Sequence, residues 1–293
     1  MHRVTTTALL AILAGGCDRA VVLNPKGPIA HAERGLLIDA FVVMMVVIVP
    51  IIIMAFLFAW RYRASRNARH EPDWAYSAKV DAVVWLIPAL IVIAVAVLVW
   101  RSTHKLDPYR EIASRVAPLD IQVVAQDWKW LFIYPEQGVA VVNQMAIPAG
   151  RPISLRITSD TVMNSFYVPA LAGQIYAMAG MQTRLNLLAD APGRFVGRNT
   201  QYSGGGFSDQ FFEVVALSAT DFDTWVTQAK QAPARLDPTT YAKLAEKSRL
   251  NPIVYYSTVE PHLFETIIEK FAGPHAAHAG HGGQHGATPP ARR

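Results

Sequence analysis

The chain is 293 residues long, 52% of its residues are hydrophobic, and its formal net charge is +5. This length and composition suffice for a membrane anchor with one or two small globular units, and they exclude a simple soluble globular protein. The densest group of basic residues lies in one short loop, whereas a nucleic-acid-binding protein carries a basic stripe on a folded face. We therefore do not expect nucleic acid as a partner.

The first residues are typical of a bacterial lipoprotein signal. A short basic start precedes an apolar run over residues 8–13, and small residues at 14–16 come directly before Cys17, the only cysteine. An apolar core followed by small residues is what a signal-processing enzyme needs. A single cysteine cannot form an internal disulfide, so we interpret residues 1–16 as a signal peptide and Cys17 as the lipid attachment site.

Two long apolar runs follow, and each predicts a membrane-spanning helix. Residues 40–60 and 82–100 contain no charged side chain, and each run can cross a hydrocarbon core of roughly 30 Å as a helix. Both runs end in Trp followed by Arg, which are usual anchors at a membrane boundary. The loop over residues 61–80 carries five basic residues against two acidic ones, so the positive-inside rule places it in the cytoplasm.

From Leu119 onward the pattern changes to short strands between turn signals. Hydrophobic and polar residues alternate over 153–158, further strand patterns cover 183–188 and 211–217, and Pro- or Gly-rich turns separate them. Several strands with no helical pattern between them predict an antiparallel sandwich over residues 119–217. Beyond the sandwich, three helices are predicted, over residues 220–230, 238–247 and 261–271.

The segment between His104 and His262 contains no histidine and no cysteine. A Ser-His-Asp hydrolase would need a histidine base in this domain, and a soft-metal electron-transfer site would need thiolate and imidazole donors. The sequence therefore predicts no catalytic, cofactor-binding or metal-binding residue here.

The tail over residues 273–293 holds four histidines among Ala and Gly. This composition is typical of a disordered segment, and loose metal binding by the tail is the alternative.

A sandwich carried outside the membrane by a two-span hairpin resembles subunit II of the haem-copper respiratory oxidases. The resemblance implies a fold class: a membrane α-helical hairpin with two transmembrane helices, plus an all-β cupredoxin-like external domain with C-terminal helices. The segments 127–138, 163–166 and 174–182 are similar in particular to subunit II of the cytochrome bo-type ubiquinol oxidases, the branch that lacks the dinuclear copper site.

The same resemblance locates the positions that hold copper ligands in other branches of the family. Asn, Gln and Ser are hard, neutral donors that cannot hold a mixed-valence copper pair, and a phenylalanine fills the place of an imidazole. Trp128 and Trp130 resemble the family's electron-accepting aromatic region, although we favour a packing role for both. The resemblance implies six lost copper-ligand positions: Asn164, Asn199, Gln201, Ser203, Phe207 and Gln210.

The resemblance also implies a function. The chain would be the non-redox subunit II of a proton-pumping quinol:oxygen terminal oxidase, with the haems and copper in subunit I and with subunit I and smaller membrane subunits as partners.

Between positions 102 and 217 there are nine basic and nine acidic residues. A docking face for a basic cytochrome should be acidic, so this balance disfavours cytochrome c as a partner. The alternatives are a cytochrome c oxidase subunit II and a membrane-tethered metal-binding module that uses the histidine tail.

These patterns divide the chain into segments. Both the lipidated N-terminus and the external domain are expected on the periplasmic side of the bacterial inner membrane, because the chain crosses it twice. The predicted segments are a signal peptide (1–16), an external linker (17–34), transmembrane helices (35–60 and 81–101), a cytoplasmic loop (61–80), a copper-free cupredoxin-like domain (102–217), a helical extension (218–272) and a disordered tail (273–293).

Overall fold

The computed structural model describes residues 21–63, 65 and 76–271. The predicted lipid attachment site at Cys17, most of the predicted cytoplasmic loop and the histidine-rich tail lie outside the described residues. The chain divides into two compact units. One is a helical unit from His31 to Arg110, and the other is a β-rich unit that combines the residues up to Ala30 with those from Glu111 onward.

Two long apolar helices, α1 (Pro28–Arg61) and α2 (Ala78–Lys105), account for the helical part of the chain. Their most apolar windows have mean hydropathies of 3.2 and 3.0, and none of the residues in these windows is buried within the protein. Apolar side chains exposed around a whole helix are stable in lipid or against other membrane subunits, and not in water. Both helices extend beyond the predicted spans, because a helix can continue past the hydrocarbon region.

The β-rich unit is a sandwich of two sheets, which confirms the predicted all-β external domain. A six-stranded sheet has the order β11-β3-β2-β1-β5-β8, and a five-stranded sheet has the order β4-β10-β9-β6-β7. The strands are β1 (Leu119–Gln126), β2 (Lys129–Tyr134), β3 (Val139–Val142), β4 (Gln144–Pro148), β5 (Ile153–Ser159), β6 (Asn164–Val168), β7 (Ala172–Ala177), β8 (Thr183–Leu187), β9 (Gly193–Asn199), β10 (Phe211–Leu217) and β11 (Val254–Tyr256).

The sandwich is not purely antiparallel, and in this respect the prediction was wrong. Strands β1 and β5 pair in parallel with Leu119 opposite Ile153, and β10 and β4 pair in parallel with Glu213 opposite Gln144. Parallel pairing requires a crossover connection, and three strands separate β1 from β5 along the chain. Hydrophobic alternation predicts a strand but does not specify its neighbour.

A cluster of aromatic rings fills the space between the sheets. The rings of Phe166 and Phe212 stack with centroids 5.0 Å apart, and Trp130 meets Phe166 edge-on at 5.4 Å. A Cβ at Gly197 would lie 2.0 Å from the Phe212 ring, so glycine is needed where this ring lies against β9. Trp130 has no exposed surface, as its interpretation as a packing residue predicts.

Residues 234–268 of the C-terminal extension (residues 218–271) cover the outer face of the six-stranded sheet, whereas Phe222 and Ala229 of the extension pack against the core between the sheets. The extension contains α3 (Ala219–Lys230), α4 (Pro238–Ala245), β11 and α5 (Leu263–Glu269). The sequence predicts a purely helical extension, but β11 adds a strand beside β3. Apolar side chains of the extension form a second buried cluster with the outward-facing residues of the sheet: Val124, Leu131, Ile133, Ala140, Val142, Leu236, Tyr256, Leu263, Phe264 and Ile267.

The N-terminal segment (residues 25–30) is part of the β-rich unit and not a linker as predicted. The backbone N–H of Lys26 donates to the Ala170 carbonyl at 2.7 Å. Gly27 is buried, and a Cβ at this position would lie 2.2 Å from the Leu188 carbonyl oxygen. Only glycine permits this close approach, and this requirement was not recognised in the sequence.

Candidate functional site

One end of the sandwich brings several buried polar side chains together. We call it the polar end and define it by residues 126–128, 159–164 and 199–210. The parallel strands β1 and β5 both finish there, β6 begins there, and β9 and β10 are joined there by the 199–210 loop. All six positions at which the sequence resemblance places copper ligands lie in these segments.

Four of the six side chains form one hydrogen-bond network. Asn199 Nδ2 donates to Asn164 Oδ1 at 2.7 Å and to Gln210 Oε1 at 2.9 Å. Ser203 Oγ donates to Gln210 Oε1 at 3.0 Å. The residues Asn164, Asn199 and Gln210 retain only 0%, 4% and 2% of their surface exposed. A buried polar group is stable when it is paired, and these amides pair with one another.

The network also holds the backbone at this end of the sandwich. Asn199 Oδ1 accepts hydrogen bonds from the backbone N–H groups of Ser165 at 2.8 Å and Gln201 at 2.9 Å. Gln210 Nε2 donates to the Gln126 carbonyl at 3.3 Å. Strands β1 and β6 and the 199–210 loop are therefore linked through two amide side chains. Satisfied buried networks of this kind make the surrounding structure more rigid.

The structure leaves the other two predicted positions out of this network. Gln201 is half-buried, and its described hydrogen bond is made by its backbone N–H group. The Phe207 ring packs beside Tyr202 with the ring centroids 5.8 Å apart. The predicted set of six thus divides into four residues that converge and two that do not.

The side chains of the four converging residues do not fit copper. They are amide groups and a hydroxyl, whereas a mixed-valence copper centre needs thiolate and imidazole ligands. The amide oxygens of Asn164 and Gln210 already accept hydrogen bonds from Asn199, so a cation could bind only by breaking the buried network. Across the described parts of the chain, no cluster of three or more His, Cys, Asp or Glu side chains could hold a metal ion.

Trp128 lies against the glycine-rich part of the 199–210 loop. Its backbone has a φ of 64°, in the left-handed region, and its indole Nε1 donates to the Ser203 carbonyl at 3.2 Å. A Cβ at Gly206 would lie 2.2 Å from the indole ring. The ring and the loop therefore fit together because residue 206 is glycine, which agrees with the packing interpretation of Trp128.

Lys129 is a buried residue with a structural role that sequence reasoning missed. It has no exposed surface, and its Nζ donates to the Glu246 carbonyl at 2.7 Å and to Ser248 Oγ at 2.6 Å. Burial lowers the pKa of the Lys129 ammonium group, and the carboxylates of Asp127 and Glu246 partly oppose this shift. Strand alternation could have indicated its burial. Side chains of neighbouring strand residues point to opposite faces of the sheet, so Lys129 faces the extension because Trp130 faces the core.

Comparison with known proteins identifies the class to which this fold and site belong. Residues 135–217 match the family described as cytochrome c oxidase subunit II, periplasmic domain, and residues 230–275 match the COX aromatic rich motif. The β-rich unit is thus an external domain of the oxidase subunit II type, and with two candidate membrane helices it fits an inner-membrane protein.

The full-length relatives define the branch. The chain is 48% identical over 271 residues to cytochrome bo(3) ubiquinol oxidase subunit 2 of Pseudomonas putida, covering 92% of this chain and 86% of the relative. It is 47% identical over 264 residues to ubiquinol oxidase subunit 2 of Acetobacter aceti, covering 89% and 85%. It is 35% identical over 251 residues to quinol oxidase subunit 2 of Bacillus cereus, covering 85% and 86%. The chain belongs to the quinol oxidase subunit 2 family, a family of oxidoreductase subunits, which confirms the branch predicted from the sequence.

Proposed function

We propose that this chain is the non-redox subunit II of a proton-pumping quinol:oxygen terminal oxidase of the aerobic respiratory chain. The observation that supports the proposal most directly is the amide network, because Asn164, Asn199 and Gln210 bond to one another at positions where a copper-bearing relative needs soft ligands. An oxidase fed by a soluble carrier needs a metal relay at this end. Quinol delivers its electrons within the membrane, so a quinol oxidase does not.

In this proposal the chain has a structural role in the complex. The two spans pack against subunit I and the smaller membrane subunits, and the β-rich unit caps the outer face of subunit I, where the haems and the oxygen-reducing copper reside. The large apolar side chains exposed along α1 and α2 support the packing role, because membrane helices associate through close side-chain contacts.

We further infer the orientation of the chain in the membrane. Arg61 ends α1 and Arg63 follows it in a basic segment, and basic loops remain in the cytoplasm. The match of residues 135–217 to periplasmic domains is consistent with the opposite side for the β-rich unit. Lipidation of Cys17 would then add a third membrane anchor on the periplasmic side.

Affinity purification of the tagged chain from membranes tests this function. We expect the chain to co-purify with the other oxidase subunits, and we expect the complex to show haem absorption and to oxidise quinol. We also expect no thiolate-type near-infrared absorption to develop after copper loading. Rapid oxidation of a cytochrome c by the purified complex, or a stoichiometric copper band of that type, would overturn the proposal.

A further inference from the structure

The polar end carries three aspartates, and each is paired with a cation of the C-terminal extension. The aspartates lie in three different loops, directly beside Trp128, the Ser159 turn and Gln210. The extension reaches all three. The pairs are Lys247 Nζ with Asp127 Oδ2 at 3.9 Å, Arg249 with Asp209 Oδ2 at 2.7 Å, and Lys270 Nζ with Asp160 Oδ1 at 2.8 Å.

In these pairs the carboxylates are covered and the cations face solvent. The side chains of Asp127, Asp160 and Asp209 are only 13%, 2% and 20% exposed, whereas the paired cations are 74%, 56% and 54% exposed. The extension therefore presents positive charge to the outside at positions where the sandwich alone would present negative charge.

Further contacts fix the part of the extension that carries these cations. Lys129 Nζ holds the turn at Glu246 and Ser248, and Asn143 Nδ2 donates to the Asn251 carbonyl at 3.0 Å. The hydroxyl of Tyr241 also donates to the Asp160 carboxylate, at 2.7 Å. The turn that carries Lys247 and Arg249 is thus held by contacts to the sandwich, whereas isolated surface ion pairs contribute little to stability.

Placement of charge, and not net charge, distinguishes this surface. The extension has six basic and seven acidic residues between positions 218 and 271, so it is not basic as a whole. Half of its basic residues nevertheless lie on the polar end. A cluster of uncompensated carboxylates steers basic proteins and raises their association rate by roughly 10- to 1,000-fold, and compensating cations remove that attraction.

We propose that residues 246–271 form a built-in cover over the polar end, in which Lys247, Arg249 and Lys270 neutralise a face that would otherwise attract a basic electron-carrier protein. The inference rests on the proposed function, because exclusion of a soluble carrier is useful to an oxidase that takes electrons from the membrane. The occupant of this surface is a segment of the same chain, and the competitor that it excludes is a basic cytochrome c.

The test replaces the three cations in the intact oxidase complex with glutamine (K247Q, R249Q and K270Q). Binding of a basic cytochrome c is measured at low ionic strength by surface plasmon resonance. We expect the association rate constant to rise about tenfold over that of the wild type, and the gain to disappear at high salt. The matched control changes Lys26, Arg115 and Arg151 to glutamine at the opposite end of the sandwich and should leave the rate constant unchanged.

Two further variants keep the outcome decisive. Adding D127N, D160N and D209N to the triple variant should return binding to the wild-type level, because the attracting charges are then gone. The single variant R249Q, which changes one exposed side chain, should give a two- to threefold rise if the triple variant does not assemble. Association no faster than in the control variant would overturn the inference, even if the complex oxidises quinol. Failure to oxidise quinol would instead overturn the proposed function.

Discussion

Asn199 joins three parts of the polar end through a single side chain. Its Nδ2 donates to Asn164 and Gln210, and its Oδ1 accepts from the backbone of Ser165. Because every one of these partners is buried, none can turn to water when Asn199 is removed. The energetic importance of the residue therefore comes from the partners that it satisfies more than from its own contacts.

Replacing Asn199 with alanine tests this role. We expect the free energy of unfolding to fall by roughly 2–4 kcal/mol, because several buried polar groups lose a partner at once. Gln201→Ala is the matched control, since its side chain is half-buried and lies outside the network; we expect a change within about 0.5 kcal/mol. Denaturant unfolding of the full chain in detergent measures both, and equal effects in the two variants would contradict the prediction.

Lys129 predicts a pH dependence of stability. Burial lowers the pKa of its ammonium group in the folded state, whereas in the unfolded chain that pKa is about 10.4. Between the two values the unfolded chain binds more protons, so stability rises with pH in this window. The stability of the wild type relative to Lys129→Met should therefore increase as the pH rises towards about 10. A difference that is flat or falls over this range, in thermal unfolding at a series of pH values, would contradict the assignment.

At the scale of elements, Trp128 and the 199–210 loop depend on one another. The indole ring occupies the space that a side chain at position 206 would need, because a Cβ at Gly206 would lie 2.2 Å from it. At the neighbouring Gly205, a Cβ would point into open space, with no atom of another described residue beyond its chain neighbours within 4 Å. Two adjacent glycines thus differ sharply in what they permit.

This difference gives a paired prediction. Gly206→Ala should lower the free energy of unfolding by about 1–3 kcal/mol, because the ring and loop must separate to accommodate the new carbon. Hydrogen exchange over residues 199–210 should become faster. Gly205→Ala should change stability by less than about 0.5 kcal/mol and leave exchange unaltered. Similar behaviour of the two variants would show that the ring does not constrain the loop.

The elements also show how far the sequence could predict the structure. Local patterns predicted the two apolar helices and strands such as β5 and β10, because the periodicity of a helix or a strand can be recognised within a single segment. The parallel partner of β1 and the three-residue strand β11 depend on contacts between distant segments, and a local pattern does not encode these. Likewise, the family resemblance located the six altered positions, but the convergence of only four depends on side-chain directions that the backbone sets.

At the scale of the whole molecule, the C-terminal extension completes the β-rich unit. Its apolar residues, among them Phe264 and Ile267, cover the outward-facing Leu131 and Ile133 of the six-stranded sheet. Without this cover the sheet would expose a contiguous apolar face, and such faces cause association or aggregation. We therefore expect the extension to be required for folding; it also supplies the cations that pair with the three aspartates of the polar end.

Two truncations separate the extension from the tail. A chain that ends after Leu217 should fail to accumulate in the oxidase complex, because the outer face of the sheet is left uncovered. A chain that ends after Ala272 keeps every described residue of the extension and should assemble and oxidise quinol at the wild-type rate. Yield of the complex and quinol oxidation in membranes provide the measurement. Loss of assembly in the longer chain would assign a role to the histidine-rich tail.

The N-terminal segment has a consequence for the order of events during biogenesis. Lys26 bonds to the backbone of Ala170 and Asp190, and these partners are synthesised only after both membrane helices. In the proposed topology, the β-rich unit can close only when the chain has crossed the membrane and returned, because before that the two halves of the contact lie on opposite sides of the bilayer. In that topology, completion of the β-rich unit has to follow insertion of both helices.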